Sequence, residues 1–506
     1  MASSEPAPGL LARQLAAALG SEAWTFKLSG GDDDHVDTAR LLRMAARFGG
    51  WLGEQRPANP RVLIRAHNST RYAVALVGTL FTGGVPMLLD PLASDTELGE
   101  LIATCGVDLV LDDYSAGPIA GQRVPLVDDA SGRYRVRPAA AAPTGHRATV
   151  ISHSAAVPAL APGTELCRFT SGSTRTAACI EFSGTAVLSA ARSWIAASRL
   201  ASRDRVLCFA GFYNGLAFNT SLIPSMLAGA TLTVPSGLPS RGYVSRQLAA
   251  ARPTVLVAFP AIYDALAESA TPLAGVSHVR LSLSSAARLS PDTATTLAAR
   301  YDLQVSDYYG LAETGPVTLD LDPVPGSGQG WPLPHAEIMF DTERGYDREI
   351  LVRTPSMGTR YLNYPGGFEA RLTADGFYRS GDEGELRDGR LHLHGRLGKG
   401  LNINGRKISA DEVAQVLLTH PAVRDCHVFA LRDEAGQTVL GALLVPAGEV
   451  AEANLRRYCL ERLAPYKAPS RILFTTSIPR SGSGKAQLQR IDDYLRDQLQ
   501  LIPLGS

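Results

Sequence analysis

The sequence has few of the features that mark secreted, metal-binding or membrane-spanning proteins. Its 506 residues include only six cysteines, and no two of them form a Cys-x-x-Cys pair, which argues against a zinc site or a disulfide framework. No apolar run reaches the roughly 18 residues that a transmembrane helix needs. The N-terminus has no basic stretch followed by an apolar core, so we expect no signal peptide. These absences predict a cytoplasmic protein with no membrane partner.

A surplus of charge of either sign is also missing. Lysine plus arginine equals aspartate plus glutamate at 49 each, while 45% of the residues are hydrophobic and 19% are charged. This balance gives no reason to expect nucleic acid as a partner and is usual for a globular protein. A chain of this length exceeds one ordinary hydrophobic core, so two or more domains are expected.

Strand and helix patterns alternate through the first half of the chain. A helix is predicted over Tyr72–Phe81, and residues 133–145 are interpreted as a linker or surface excursion. Strands separated by helices imply parallel sheets and an α/β fold. Short strands with glycine turns predict a β-rich subdomain over Gly330–Leu393, and a compact α+β segment follows from about Gly400. The predicted strands are Arg61–Arg65, Val85–Leu89, Asp108–Asp112, Arg205–Ala210, Thr254–Ala258 and Val279–Leu283.

Five short motifs carry the chemistry. Thr170-Ser-Gly-Ser-Thr174 follows an apolar run and has the small, hydroxylated residues of a phosphate-binding loop, whose backbone N–H groups hold anions. A serine-rich turn is the structural alternative. The other four motifs are Tyr308-Tyr-Gly-Leu-Ala-Glu313, Tyr378-Arg-Ser-Gly-Asp382, Gly395-Arg-Leu-Gly-Lys399 and Pro479-Arg-Ser-Gly-Ser-Gly-Lys485.

In this order and at this spacing, the five motifs resemble those of the adenylate-forming superfamily. That family includes acyl- and aryl-CoA synthetases, luciferases and the adenylation domains of nonribosomal peptide synthetases. The resemblance covers nearly the whole chain. It implies a large N-terminal domain of parallel sheets with helices and a β-rich subdomain, residues 1–397, which contains the nucleotide and acid sites. A small, mobile α+β C-terminal domain, residues 398–506, would follow a hinge at Gly398.

The resemblance also implies a reaction and its cofactors. ATP with Mg²⁺ would activate a carboxylic acid as an acyl-adenylate, and pyrophosphate would leave. Lys485 and Glu313 would be the catalytic residues, and Glu313 would also lie near the metal, since magnesium prefers oxygen ligands. The residues implied to bind the nucleotide are Thr170, Ser171, Gly172, Ser173, Thr174, Arg175, Ser285, Ala286, Asp307, Tyr308, Tyr309, Gly310, Asp382 and Arg396.

Individual roles follow from the same resemblance. Tyr309 would stack on adenine and Asp307 would accept the adenine amino hydrogen, although both tyrosines of this motif would suit simple packing at a strand end. Asp382 would accept hydrogen bonds from the ribose hydroxyls, or would only stabilise its own turn. Arg396 would approach the ribose and the α-phosphate. Lys485 would supply positive charge to the carboxylate and the α-phosphate, and the alternative is a surface lysine.

Four positions depart from the family pattern. The loop lysine aligns with Ala178, the threonine before the acidic residue with Ala312, and the hinge aspartate or lysine with Gly398. Glycine suits a hinge because it reaches backbone angles closed to other residues. Arg175 replaces a loop glycine, and we hypothesise that its guanidinium partly takes over from the missing lysine. The alternative is that Arg175 points into solvent.

The acid is expected to contact the stretch around Phe212, Tyr213, Asn214 and the strand end at Ser284. The aspartate that pairs with the ammonium of amino-acid substrates is missing from this stretch. Tyr213-Asn214 stands where aryl-acid activators carry His-Asn, so an aromatic or short unsaturated acid is the first expectation. Core packing around a fatty-acyl tunnel is the alternative.

The acceptor of the acyl group stays open at this point. The chain has no carrier domain with a phosphopantetheine serine, so a thiol would come from CoA or from a separate acyl carrier protein. Some members of the family join the acyl group to an amine instead, or activate another oxyanion such as nitrite. A non-catalytic nucleotide-binding relative is a further alternative, against which the presence of Asp382, Glu313 and Lys485 argues.

Overall fold

The structure is a computed structural model, and the strands and helices below are numbered in chain order. All six cysteines are buried free thiols. In the part of the chain that the structure describes, no helix is both long and apolar enough to cross a bilayer. The described residues are 8–22, 26–30, 34–55, 59–93, 95–113, 132–139, 142–170, 177–235, 240–269, 273–285, 289–341, 349–397, 400–403, 406–432, 438–463, 467–480 and 487–499.

The first large sheet has eight strands and mixes parallel with antiparallel pairs. Strands β3, β4, β5 and β8 run parallel, and antiparallel strands are added at both edges. Across the sheet, the order is β21 (Arg360–Tyr361), β9 (Cys179–Ser183), β8 (Thr164–Phe169), β4 (Val85–Leu88), β3 (Arg61–Arg65), β5 (Leu109–Asp112), β7 (Arg147–His153) and β6 (Tyr134–Pro138).

The second large sheet has seven strands, and only its edge strand β2 is antiparallel. A largely parallel sheet is typically covered on both faces, so its strands are continuous apolar runs such as Val255–Ala258. Across the sheet, the order is β14 (Val305–Asp307), β13 (Leu281–Ser284), β12 (Val255–Ala258), β10 (Arg205–Cys208), β11 (Thr231–Thr233), β1 (Lys27–Ser29) and β2 (His35–Asp37).

Helices form three layers around these two sheets. The middle layer lies between them and contributes to the largest hydrophobic core, for example through Leu15, Phe48 and Trp194. The outer helices cover the free face of each sheet, as with Leu101 on one side and Leu266 on the other. The middle helices are α1 (Leu10–Leu19), α2 (Thr38–Gln55), α3 (Thr70–Phe81), α5 (Gly184–Ser198), α6 (Gly215–Ala217) and α7 (Ile223–Ala228), with a π-helical turn at Phe218–Leu222 between the last two. The outer helices are α4 (Asp95–Cys105), α8 (Arg241–Ala251), α9 (Pro260–Ala267) and α10 (Pro291–Tyr301), and Val276–His278 form a short 3-10 turn.

A β-rich subdomain follows, as the glycine-rich sequence predicts. Its four-stranded antiparallel sheet packs Tyr309, Ile350 and Leu391 into a separate small core. The four-stranded sheet consists of β19 (Glu337–Asp341), β20 (Glu349–Arg353), β22 (Tyr378–Arg387) and β23 (Arg390–Arg396). Two short hairpins accompany it, formed by β15 (Gly310–Leu311) with β16 (Gly315–Pro316) and by β17 (Thr318–Leu319) with β18 (Trp331–Pro332), and Glu369–Arg371 form a 3-10 turn.

The C-terminal region is a three-stranded sheet with helices on both faces. Alternate residues of one strand serve two cores: Cys426 and Val428 face one of them, and Phe429 and Leu431 face the other. This alternation is what a strand buried on both faces requires. The elements are β24 (Gly400–Ile403), β25 (Arg406–Ser409), α11 (Ala410–Leu418), β26 (Val423–Arg432), β27 (Thr438–Pro446), α12 (Glu452–Leu460), β28 (Arg471–Phe474) and α13 (Leu488–Leu499).

The predicted elements agree with this architecture to within one or two residues at most boundaries. One interpretation was wrong. Residues 133–145 are not simply a surface excursion, because Tyr134–Pro138 form the edge strand β6 and pair antiparallel with β7. Most of β6 is exposed, and arginines alternate with apolar residues along it. Because Tyr134 is the one buried residue of β6, its sequence is too polar to predict a strand from the hydrophobic pattern.

Candidate active site

The predicted phosphate loop begins where β8 ends. Thr170 Oγ1 accepts a hydrogen bond from the Ala178 backbone N–H at 3.0 Å, and the Thr170 N–H donates to the Ala178 carbonyl at 2.9 Å. These two bonds hold the ends of the loop together. Ala178, at the position of the family lysine, is buried in the main core. The predicted site residues Ser171, Gly172, Ser173, Thr174 and Arg175 lie outside the described residues.

The predicted adenine side lies at the carboxyl ends of two neighbouring parallel strands. Ser284 ends β13 and pairs in register with Asp307, which ends β14. The Tyr308 N–H donates to the Ser284 carbonyl at 2.8 Å. Ligands of open parallel sheets bind at this edge of the sheet, and the buried Ser284 Oγ has no hydrogen-bond partner among the described residues. Ser285 is buried beside it, whereas Ala286 lies outside the described residues.

Asp307 is held in place by a glutamine that sequence reasoning missed. Gln329 Nε2 donates to Asp307 Oδ2 at 2.7 Å, and Gln329 Oε1 accepts from the Leu393 N–H at 2.8 Å. Gln329 is itself buried. A carboxylate has about four acceptor positions, so it can serve several donors, as the predicted role of Asp307 with adenine requires. The glutamine thereby joins the end of β14 to the β-rich subdomain.

The two adjacent tyrosines face different cores. Tyr308 packs edge-on against Trp194, with ring centroids 5.6 Å apart, and belongs to the main core. Tyr309 belongs to the core of the β-rich subdomain, and its hydroxyl donates to Asp382 Oδ2 at 2.8 Å. Gly310 follows, and a Cβ there would lie 2.8 Å from the Gly315 carbonyl, so only glycine fits this close approach. The hairpin of β15 and β16 is thus packed against both tyrosines.

Asp382 is a buried carboxylate in β22. Its backbone N–H donates to Ser380 Oγ at 2.9 Å, and the preceding Gly381 has a φ of +72°, which favours glycine. In the pairing of β22 with β23, Asp382 lies directly opposite Arg396. Two residues of separate motifs are therefore neighbours in the sheet, as a shared role at the ribose and α-phosphate requires.

Glu313 is hydrogen-bonded to Tyr361, which lies outside the five motifs and in turn contacts Tyr378, the first residue of the motif that ends at Asp382. The Tyr361 hydroxyl donates to Glu313 Oε1 at 2.8 Å, and the Tyr361 and Tyr378 hydroxyls are 2.8 Å apart. Burial, and then the charge of Glu313, raise the pKa of both tyrosines. Both hydroxyls therefore keep their protons at neutral pH and act as donors, which leaves Glu313 Oε2 for a cation.

The stretch predicted to contact the acid is only partly accessible. Phe212 is completely buried, and its ring packs edge-on against Tyr72 at 5.5 Å. Tyr213 is hydrogen-bonded to Asp90, and burial raises the pKa of Tyr213 more than that carboxylate does. Asn214 Oδ1 caps α6 by accepting from the Leu216 N–H at 2.8 Å. Tyr213 and Asn214 keep some exposed surface and are the members of this stretch that can meet a ligand.

Two central predictions fall outside the described part of the chain. These are the catalytic role of Lys485 and the hinge at Gly398. For Arg396, the backbone is described in β23. The structure brings the β13–β14 edge and the β22–β23 pair together through the hydrogen bond from Tyr309 to Asp382. Gln329 and Tyr361 could not be found from the sequence, because both lie outside the five motifs and reach their partners only through the fold.

Replacing Asp382 with asparagine is expected to weaken ATP binding about tenfold to a hundredfold. The substitution keeps the size of the side chain but removes the charge, and a charge-assisted hydrogen bond contributes roughly 1.5–3 kcal/mol. Calorimetric titration with MgATP measures the effect without an acid. Asp388→Asn, in the exposed turn between β22 and β23, is the matched control and should bind as the unaltered protein does. An unchanged Kd in Asp382→Asn would contradict the role.

Comparison with known proteins agrees with these features. The family described as AMP-binding enzyme matches residues 12–362, and the family described as AMP-binding enzyme C-terminal domain matches residues 412–485. An anthranilate–CoA ligase of Pseudomonas aeruginosa is 27% identical over 467 residues, which cover 86% of this chain and 87% of that protein. A probable CoA ligase of Humulus lupulus is 26% identical over 318 residues, and this chain spans 60% of its length.

Solved structures share the fold at low sequence identity. ATP-bound MatB from Rhodopseudomonas palustris has a TM-score of 0.78 at 20% identity, with 96% of this chain and 99% of that chain covered. The o-succinylbenzoate CoA synthetase MenE from Bacillus subtilis, in complex with its acyl-adenylate, has a TM-score of 0.75 at 22% identity over 96% of this chain and 98% of that one. These likenesses show a large N-terminal domain and a small C-terminal domain.

Proposed function

Because the chain belongs to the AMP-binding enzyme family, we propose that it is an AMP-forming ligase that joins a carboxylic acid to a thiol in two steps. The acid carboxylate attacks the α-phosphorus of ATP, and the bond to pyrophosphate breaks to leave an acyl-adenylate. The sulfur of coenzyme A then attacks the acyl carbon, and AMP leaves with the bonding electron pair. The curated relatives that match along most of their length support this choice, since an anthranilate–CoA ligase is among them.

The observation that carries the proposal is the convergence of three carboxylates from two separate stretches of the sequence. Asp307 lies at the end of β14, Glu313 lies in the hairpin that follows, and Asp382 is joined to this region by the hydrogen bond from Tyr309. The arrangement supports an order along the nucleotide: Asp307 at adenine, Asp382 at the ribose and Glu313 near the phosphates. If Asp382 only stabilised its own turn, the structure would give no reason for Asp307 and Glu313 to lie in the same region.

ATP and Mg²⁺ fit the donor set at Glu313. Magnesium is usually bound through one or two carboxylates together with substrate phosphates, and Glu313 offers one oxygen that Tyr361 does not occupy. Bound magnesium would neutralise phosphate charge in the transition state. Glu313 would hold the ion, and the Tyr361 hydroxyl would orient the carboxylate. The loop after Thr170, whose ends are joined by the Thr170–Ala178 hydrogen bonds, would hold the β- and γ-phosphates.

The acid is proposed to be aromatic or short and unsaturated. Tyr213 and Asn214 present a partly exposed surface at the start of α6, next to the buried rings of Phe212 and Phe218. The names of two relatives, anthranilate–CoA ligase and 3-hydroxybenzoate–CoA ligase, support the same class. Coenzyme A is the proposed acceptor, and a separate acyl carrier protein is the alternative thiol.

The domain arrangement is part of the proposal. Residues 1–397 would bind nucleotide and acid, and residues 398–506 would move as one body about Gly398 and bring Lys485 to the site for the first step. Rigid C-terminal movement is supported by the separate cores of this region, one of which includes Leu417 and Leu455 and the other Ile491 and Leu495. Domain motions of this kind commonly complete a catalytic site.

Pyrophosphate release against a panel of aryl, alkyl and amino acids tests the function. We expect release with at least one aryl or short unsaturated acid, in the absence of any thiol, because adenylation precedes transfer. Adding coenzyme A should then give an acyl-CoA product and raise the steady rate, which mass spectrometry of the product confirms. If no acid triggers release under any condition, the chain binds nucleotides without this chemistry and the proposal is wrong.

A further inference from the structure

A buried arginine lies next to the candidate site and has no acidic partner in the part of the chain that the structure describes. Arg168 is the next-to-last residue of β8, and 3% of it is exposed. Nη2 donates to the Ala312 carbonyl at 3.3 Å, and the buried Nε has no hydrogen-bond partner among the described residues. No carboxylate of the described chain forms an ion pair with it. A buried cation without a counter-ion is costly, so a ligand anion would stabilise it.

Two aromatic rings pack against the Arg168 guanidinium and attract its positive charge, but they do not neutralise it. The guanidinium carbon lies 4.6 Å from the ring centroid of Phe182 and 5.4 Å from that of Phe218, and such rings attract a cation. Burial lowers the pKa of Arg168 to about 10, although the nearby charge of Glu313 and the hydroxyls of Tyr308 and Tyr72 oppose this. The guanidinium is therefore protonated at neutral pH.

The position of Arg168 links the acid stretch to the reaction centre. A Cβ on Gly215 would lie 2.9 Å from Arg168 Nη1, so this nitrogen touches the first residue of α6, directly after Asn214. On its other side, Nη2 is bonded to Ala312, the residue before Glu313. Within the described ranges, the hydroxyl of the fully buried Tyr72 also has no hydrogen-bond partner. Burial raises the pKa of Tyr72, and the nearby charge of Arg168 opposes this rise. Two donors without acceptors thus share one environment.

Taking the proposed acid-ligase function as its basis, we propose that Arg168 is a specificity-determining residue that pairs with a second carboxylate on the acid. The substrate is then a short or aromatic dicarboxylic acid, one carboxylate of which is activated while the other binds the guanidinium. The planar fork of arginine matches a carboxylate through two hydrogen bonds. Glu313 does not serve as this partner, because it lies beyond ion-pair distance from Arg168 and its carboxylate is bonded to Tyr361.

Matched pairs of acids test the inference. Each pair consists of a dicarboxylic acid and the monoamide or monocarboxylic analogue of the same length, taken from benzenedicarboxylic and short alkyl or alkenyl series. The readout is kcat/KM for pyrophosphate release. The unaltered protein should prefer the dicarboxylic member of at least one pair by about tenfold to a hundredfold, which is the value of a hydrogen bond to a charged group. The preference should disappear in Arg168→Met, while activity on the neutral analogue stays or rises.

Control variants separate specificity from folding. Arg168→Lys keeps the charge without the fork and should retain part of the preference. Arg135→Met removes an exposed arginine of β6 and should leave the preference unchanged. Thermal unfolding gives a readout that does not need turnover. The preferred dicarboxylic acid should raise the Tm of the unaltered protein and not that of Arg168→Met.

Three outcomes would overturn this inference and leave the acid-ligase function standing. In the first, Arg168→Met lowers kcat/KM for both members of each pair equally, which would place the guanidinium on the reacting carboxylate. In the second, Arg168→Met raises only the KM for MgATP, which would assign the arginine to the phosphates. In the third, monocarboxylic acids release pyrophosphate as well as every dicarboxylic partner does, in which case this inference is wrong and the acid-ligase function stands. Failure of every acid to release pyrophosphate or raise the Tm would overturn both.

Discussion

Lys485→Ala is expected to lower kcat for acyl-adenylate formation by about 10²–10³-fold, which is the usual loss when one donor to developing negative charge is removed. The acid carboxylate and the α-phosphate are both anionic, and their approach builds charge that a single ammonium group can stabilise. Because the contact forms mainly in the transition state, KM for ATP and for the acid should change far less than kcat.

Single-turnover formation of the adenylate, measured in a quench-flow apparatus, isolates this step from acyl transfer. Arg490→Ala is a suitable control, since it removes an exposed positive charge five residues further on whose side chain contacts Gln487. This control should adenylate at the rate of the unaltered protein. If Lys485→Ala also keeps that rate, the lysine is an ordinary surface residue and the catalytic charge comes from elsewhere.

Glu313→Gln is expected to lower kcat by about 10²-fold or more, because a metal ion at the phosphates contributes several kcal/mol to transition-state stabilisation. The amide retains the shape of the side chain and still accepts the Tyr361 hydrogen bond, but it carries no charge for Mg²⁺. The concentration of Mg²⁺ that gives half-maximal rate should therefore rise in this variant, and a higher Mg²⁺ concentration should restore part of the activity.

Two further variants test whether the effect of Glu313→Gln is specific to metal binding. Tyr361→Phe removes the hydroxyl that orients the carboxylate and should cost about tenfold, the value of one hydrogen bond to a charged group. Glu369→Gln lies on the exposed surface of the same subdomain and should have no effect. Unchanged Mg²⁺ dependence in Glu313→Gln would show that the glutamate does not hold the ion.

Arg168 shows the limit of reasoning from motifs. Its position inside an apolar strand and two residues before the predicted phosphate loop can be read from the sequence alone. A charged residue in such a strand is a signal of a functional or ion-paired site, but the sequence does not show whether a carboxylate faces it. Here the facing residues are Phe182, Phe218 and Gly215, and their packing leaves the guanidinium without a counter-ion among the residues that the structure describes.

Local patterns determined much of this protein by themselves. Continuous apolar runs identified the parallel strands, because such strands are buried on both faces, and the spacing of five motifs indicated the family that the family match then confirmed. The exposed strand β6 was missed because one buried side chain attaches it to the sheet. The hydrophobic pattern of a segment reflects how much of that segment is buried, so it predicts buried strands better than exposed ones.

Tertiary structure alone decided how the site is assembled. The hydrogen bonds from Tyr309 to Asp382, from Gln329 to Asp307 and from Tyr361 to Glu313 join residues that are between 22 and 73 positions apart in the chain. Such contacts depend on the register of β22 with β23 and on the way the β-rich subdomain packs against β14. Local propensity predicts neither this register nor this packing, because side chains far apart in sequence meet only when the whole fold has brought their backbones together.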